Sequence, residues 1–346
     1  MNYEIEFLPV GNGEKSGDAI LVRYGEEDNY KIMIVDGGNK ESGKALVEHV
    51  KKYYKTDFVD YVVNTHPDQD HASGLSIVLE ELNVGELWLF RPWENTDFMS
   101  ELFQDGRITD NSLKERFKQA FKYAYELEKI ASEKSICIYE PFQGSQIGKF
   151  TVLSPSIEWY LDLLLESNKT PEVRASNESI TDSISSFVSK ILESLDVETL
   201  KEDGQTSPDN ESSVVLYARF NGEGILLTGD AGIRALNKAY EYYPQLSEDL
   251  KFIQIPHHGS RRNVAPSILN KILGEKGQSQ NKTAFVSASK EAKKHPRPIV
   301  VNAFIRRGCK VISTEGSTIR HSHNMANRDG WSPATPLEFT EEVEDS

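Results

Sequence analysis

The stretch Thr65-His66-Pro67-Asp68-Gln69-Asp70-His71-Ala72-Ser73-Gly74 constrains this chain more than any other segment. Before it stands an apolar run, Phe58-Val59-Asp60-Tyr61-Val62-Val63, that reads as a buried strand. After it, Leu75 to Leu82 reads as a helix. Two imidazoles and two carboxylates therefore crowd one strand-to-helix turn. Each is costly to desolvate, and a cation is what usually gathers such groups. The plainer reading is a polar loop whose Asp residues cap the helix. It accounts for one carboxylate and no imidazole.

The rest of the chain bounds the setting. Its 346 residues, 38% hydrophobic and 10% aromatic, suit a globular protein with an ample core, read here as one domain. No apolar run reaches the length of a membrane helix, and Met1-Asn2-Tyr3-Glu4-Ile5 lacks a signal-peptide pattern. Cys137 and Cys309 lie far apart, without metal-type spacing, and read as reduced. A cytoplasmic protein with no membrane contact is the expectation. The net charge of -15 argues by itself against nucleic acid, but charge is unevenly spread. Residues 251–320 hold fourteen Lys plus Arg against three acids, a local excess of +11. Such a block is either a focused anion-binding face or ordinary solvated surface.

Strand-like runs and turns alternate over residues 3–36, ending at Asp36-Gly37-Gly38. An amphipathic helix with Leu46 and Val50 on its apolar face follows, then the polar loop. Residues 109–131 read as one long amphipathic helix. The first half spans 1–155. Residues 156–209 read as a helical insertion, with helices near 157–166 and 179–196 and a mobile linker over 201–210. The second half, 210–330, opens with a hairpin around Asn221-Gly222. His321 and His323 fall in what reads as a terminal loop, and 331–346 as an acidic tail suited to solvent or docking. Two mixed halves that run strands then helices suit two sheets packed face to face with helices outside.

Thr228-Gly229-Asp230 and Pro256-His257-His258-Gly259-Ser260 also sit at strand ends. Each is weak alone, yet strand ends on one sheet edge are where ligands from distant sequence meet. Here the order of motifs carries a resemblance. Asp36-Gly37-Gly38, His66-Pro67-Asp68-Gln69-Asp70-His71, Gly229-Asp230 and Pro256-His257-His258-Gly259 resemble the metallo-β-lactamase superfamily. The resemblance is greatest to the hydrolase domain of ComEC-type competence proteins and their free-standing relatives. Gly17-Asp18-Ala19, Asp68 in place of the second His of the general pattern, Asn210 with Ser212, and His295-Pro296 carry that finer match. It covers about residues 3–320, apart from the helical insertions.

The resemblance implies an α/β (α+β) fold, an αββα sandwich, with two divalent metal ions between the sheet ends. Asp70, His71 and His258 would hold one ion, His66 and Asp68 the other, with Asp230 bridging. Asp36 and Asn210 would support the ligands from behind. Many members supply a third His after the strand that here ends Val152-Leu153, where this chain has Ser154-Pro155. With Asp68 also in place of a His, that leaves the His66–Asp68 site richer in oxygen, which admits Mn²⁺ or Mg²⁺ beside Zn²⁺.

Two such ions activate a shared water and clamp the leaving oxygen, with Asp68 or Asp70 taking the water's proton. Arg261 and Arg262 follow the His pair, and Lys290, Lys293, Lys294, His295 and Arg297 cluster later. His257, Ser260, Arg261 and Lys294 are assigned to substrate, and His295 to the scissile phosphate. Cations beside a metal site favour a phosphate-bearing substrate. The resulting expectation is a metal-dependent phosphodiester hydrolase, a nuclease acting on DNA. The alternatives are hydrolysis of a small anionic molecule (a cyclic nucleotide or acyl ester) and an effector subunit activated by a protein partner or by self-association.

Overall fold

The computed structural model describes residues 1–11, 17–27, 29–94, 96, 109–167, 198–277, 281–341 and 343. The helix anticipated over 179–196 lies outside them. The strands are β1 (Asn2–Phe7), β2 (Ala19–Glu26), β3 (Asn29–Gly37), β4 (Phe58–Val63), β5 (Asn83–Trp88), β6 (Cys137–Tyr139), β7 (Gln146–Ile147), β8 (Phe150–Ser154), β9 (Val215–Phe220), β10 (Glu223–Leu227), β11 (Leu250–Gln254), β12 (Lys282–Val286), β13 (Cys309–Ser313) and β14 (Ile319–His323). They form two seven-stranded sheets, ordered β14-β1-β2-β3-β4-β5-β6 and β13-β12-β11-β10-β9-β8-β7. In the first sheet β14, β1, β2 and β3 pair antiparallel and β3 to β6 run parallel; in the second β7 to β10 pair antiparallel and β10 to β13 run parallel. The two halves of the chain thus repeat one design, as their shared order of strands and helices suggests.

Alternation along the strands sets the layers. In β11, Phe252 points into the space between the sheets, where its ring meets Phe7 of β1 at 6.1 Å. Its neighbour Ile253 points outward, into a second apolar cluster with the helices that cover that sheet. Tyr24 meets Phe220 at 5.2 Å across the same inner space. The helices are α1 (Lys40–His49), α2 (Gln69–Glu81), α3 (Asp110–Ala120), α4 (Lys122–Glu133), α5 (Ile157–Glu166), α6 (Pro208–Glu211), α7 (Ile233–Tyr242), α8 (Leu246–Asp249), α9 (Pro266–Leu273) and α10 (Pro298–Arg306). The architecture is the αββα sandwich anticipated from the sequence. At the β9–β10 turn, Asn221 and Gly222 take φ of 52° and 84°, as a two-residue hairpin demands.

Four readings need correction. The helix expected over 109–131 breaks at Phe121, whose φ of −106° and ψ of 37° separate α3 from α4. The bend lets Phe117 and Phe121 both bury their rings, a packing gain that periodicity does not register. The linker read over 201–210 is held in place. Ser267 donates its backbone N–H and its hydroxyl to Glu202, and Ser207 caps α6. His321 and His323 belong to β14, which pairs with β1, and burial pushes the His321 imidazole down to about 4. The tail folds back. Leu337 N donates to Val311 O, Asn302 Nδ2 donates to Thr340 O, and Val343 is buried. No helix among the described residues is long and apolar enough to cross a membrane.

Candidate metal centre

Parallel pairing brings the C-terminal ends of β3 and β4 together, and likewise those of β10 and β11. The loops that leave these ends meet across the two sheets, where Val214 N donates to Thr65 O at 3.1 Å. Asp36, at the end of β3, organises the first loop. Its carboxylate accepts from Thr65 N (2.8 Å), Thr65 Oγ1 (2.6 Å) and His71 Nδ1 (2.8 Å). With Nδ1 donating to Asp36, Nε2 is the nitrogen His71 turns toward Asp230. Burial alone would lower this imidazole, but Asp230 and Asp36 outweigh it and hold it well above its usual range, so Nε2 would give up its proton on binding a metal ion. That nitrogen lies 3.4 Å from Asp230 Oδ2. His66 Nε2 lies 3.8 Å from the same oxygen and 3.8 Å from Asp68 Oδ2. Asp68 is the N-cap residue of α2, yet its side chain makes no capping hydrogen bond, which disposes of the capping reading.

Close backbone contacts hold the loop. A Cβ on Gly17 would sit 1.6 Å from Asp70 O, and one on Gly74 1.9 Å from Gly37 O. On the other sheet, His257 and His258 have φ of 47° and 54°. His257 N donates to Gly229 O at 3.2 Å, tying the His pair to the Gly-Asp turn.

Within this shell, ligand-type atoms of Asp70, His71 and His258 lie within 4.8 Å of one another, as do those of Asp230, His257 and His258. His66 Nε2, His71 Nε2, His258 Nδ1 and Asp230 Oδ1 are buried without a hydrogen-bond partner. Orphaned polar atoms are rare in native interiors, and four at one point fit divalent cations. Electrostatics agrees. Burial alone would raise the Asp230 carboxyl, but His257, His71 and His258 outweigh it and hold it well below the usual range. Burial pushes His258 down to about 4, so this imidazole is neutral and ready to ligate at neutral pH.

The structure therefore brings together His66, Asp68, Asp70, His71, Asp230 and His258. Asp36 stands behind them, and Asn210 touches His257 rather than the cage. Ser260, Arg261, Lys294 and His295 line an adjoining cleft of about 530 Å³ with His257, Arg262 and Arg297. A second cleft of about 430 Å³, lined by Asn39, Gln69, Tyr123 and both Asp68 and Asp70, opens on the other flank.

Sequence reasoning assigned no role to three contributors. Asp18 is buried beside His71, and burial pushes its carboxyl up to about 7. Gln254 donates to Asp18 Oδ2 (2.9 Å) and accepts from the N–H groups of Thr228 and Gly229. Asn263 bonds the His257 ring and the carbonyl of Asp230. The available signals were the Gly17-Asp18-Ala19 match and an amide inside an apolar strand, at Gln254.

Residues 12–89 match the family model described as the metallo-beta-lactamase superfamily. The chain is 27% identical over 136 residues to ComE operon protein 3 of Bacillus subtilis (strain 168). That match spans 39% of this chain and 16% of the relative's length. Among solved structures, Tm1679, a metal-dependent hydrolase of the beta-lactamase superfamily, is 14% identical with a TM-score of 0.43, covering 92% of this chain and 98% of that one. A long form RNase Z from yeast is 11% identical with a TM-score of 0.41, covering 92% of this chain and 41% of that one. Over residues 12–89, which hold Asp36 and the His66-to-His71 loop, the chain is thus similar to the metallo-beta-lactamase superfamily.

Proposed function

We propose that this metal-dependent hydrolase cleaves phosphodiester bonds, with DNA as its substrate and two divalent ions at the Asp230 centre. The observation that carries the reading is the join between cage and cleft. His257 borders both, and the cleft beside it presents Arg261, Arg262, Lys294 and Arg297. Four cations against no carboxylate among its lining residues select an anion, in a chain whose net charge is -15. Arg261 Nη1 is buried without a hydrogen-bond partner, a donor kept for something outside the chain.

Divalent ions, when bound, supply Lewis-acid activation of a water and of the phosphoryl oxygen. The chain's own residues do the rest. His66, Asp68, Asp70, His71, Asp230 and His258 would hold the ions, and Asp36 fixes the His71 tautomer. Asp68, whose side chain is 37% exposed, is placed to take a proton from an entering water. Arg261 and Lys294 bind the phosphate backbone, and His295 faces the leaving group from the cleft wall.

The test is hydrolysis of plasmid and single-stranded DNA with Mn²⁺ or Zn²⁺, beside a cyclic dinucleotide. The proposal expects DNA cleavage that disappears in Asp70→Ala and His258→Ala while the fold persists. Preference for the cyclic dinucleotide would move the reading to a small anionic substrate. Arg261→Ala should raise KM for DNA about tenfold with kcat little changed, the loss of one charge-assisted contact.

A further inference from the structure

The His257-His258 pair brings one more imidazole to Asp230 than the resemblance assigns to metal. Both residues hold left-handed backbone, which is unfavourable for a non-glycine residue. What that conformation achieves is aim. His258 turns under His71, with ring centroids 5.8 Å apart, and His257 Nε2 comes to 3.6 Å from Asp230 Oδ2. This is the oxygen that His66 and His71 also approach.

The opposite edge of the His257 ring is fixed by Asn263, which is fully buried. Asn263 Nδ2 donates to the carbonyls of Asp230 (2.8 Å) and Ala231 (3.3 Å). An amide nitrogen so committed leaves Oδ1 to face the ring, and Oδ1 lies 3.0 Å from His257 Nδ1. Nδ1 must then carry the proton, and Nε2 is a bare lone pair. Asn210 Nδ2 lies 3.1 Å from the same Nδ1 and donates to Thr206 Oγ1 at 2.8 Å. A half-turn of that amide lets its oxygen accept from both, the orientation that a protonated Nδ1 requires. The bare Nε2 thus faces a carboxylate oxygen at 3.6 Å, two acceptors that repel one another unless a cation lies between them.

We propose that His257 is itself a metal ligand through Nε2, and that Asn263 is the positioning residue that fixes its tautomer. His257 thereby makes up for the imidazole absent at the end of β8, where Ser154 stands with a buried hydroxyl that has no partner. The inference rests on the metal-dependent reading above and adds a donor to it.

The full chain is stripped with EDTA, reloaded with Zn²⁺ or Mn²⁺, and its bound metal counted by mass spectrometry after desalting. Calorimetry gives the dissociation constants, and zinc X-ray absorption gives the imidazoles per ion. The wild type should hold two ions. His257→Ala should keep one and lose at least tenfold in affinity for the other, with fewer imidazoles per zinc. Asn263→Ala should weaken the same ion by about 10–100-fold, the usual cost of removing a group that orients a ligand. Arg261→Ala, in the same cleft without a ligand atom, should load as the wild type does. Unfolding in EDTA checks that each variant folds, and His257→Gln replaces His257→Ala if the latter does not. A His257 variant that keeps the wild-type ion count, affinities and imidazole number overturns the proposal and leaves the phosphodiesterase reading standing. A wild type that takes up no ion overturns both.

Discussion

Single residues decide whether this centre exists. Asp36 is buried and accepts three hydrogen bonds, so it acts through the Thr65 backbone and the His71 ring. Asp36→Ala should lower metal affinity by about 10–100-fold, read by calorimetry, because His71 loses its tautomer restraint. The residues proposed as ligands were visible in the sequence because they sit in short motifs at strand ends. Asp18 was visible only as part of the Gly17-Asp18-Ala19 match, and Gln254 and Asn263 were not visible, because each acts only through a partner far off in sequence or around a turn. Away from the centre, Glu6 lies in a buried network with Arg328, His49 and Tyr54. Burial alone would raise its carboxyl, but His49 and Arg328 outweigh it and lower it from 4.5 to about 2. A carboxyl so lowered contributes stability that is present above pH 4.5 and lost as pH falls toward 2. Glu6→Gln should therefore lower stability at neutral pH and flatten its acid dependence in that window, as measured by urea unfolding across pH.

At the scale of elements, α2 delivers the metal loop, and glycine lets it do so. The Gly74 position meets Gly37 O, and a Cβ on Gly43 would sit 2.2 Å from Gly74 O. Gly74→Ala has no room and should cost about 3 kcal/mol, seen as a lower denaturant midpoint, with metal affinity falling as the loop shifts. The strands were readable because alternation states which face is buried, and the Asn221-Gly222 turn because both positions need positive φ. The break at Phe121 was hidden because α3 and α4 share one apolar stripe. The segment 201–210 looked like a tether because its polar residues bond to one another and to the cleft wall rather than to a core.

Over the whole molecule, two sheet ends from distant halves of the chain close on one buried cluster of like-charged carboxylates. Asp18, Asp36 and Asp230 are all buried there. Metal should therefore stabilise the fold by binding the native state alone. An ion at a hundred times its dissociation constant adds about 2.7 kcal/mol, and EDTA should lower Tm accordingly, with recovery on reloading. The fold class followed from the doubled order of strands and helices. The proposed phosphate-bearing substrate rests on basic residues visible in the sequence, Arg261, Arg262, Lys294 and Arg297, which the fold gathers into one cleft with walls from 205–210, 257–262 and 294–297.

The most direct measurement is the single-turnover rate of cleavage of end-labelled DNA by Mn²⁺-loaded wild type and by Asp230→Asn, with bound metal counted in the same samples. The account predicts cleavage by the wild type and at least a hundredfold slower reaction in Asp230→Asn, together with loss of bound ion. A fully metal-loaded wild type that leaves the DNA intact, or an Asp230→Asn variant that cuts as fast, would contradict it.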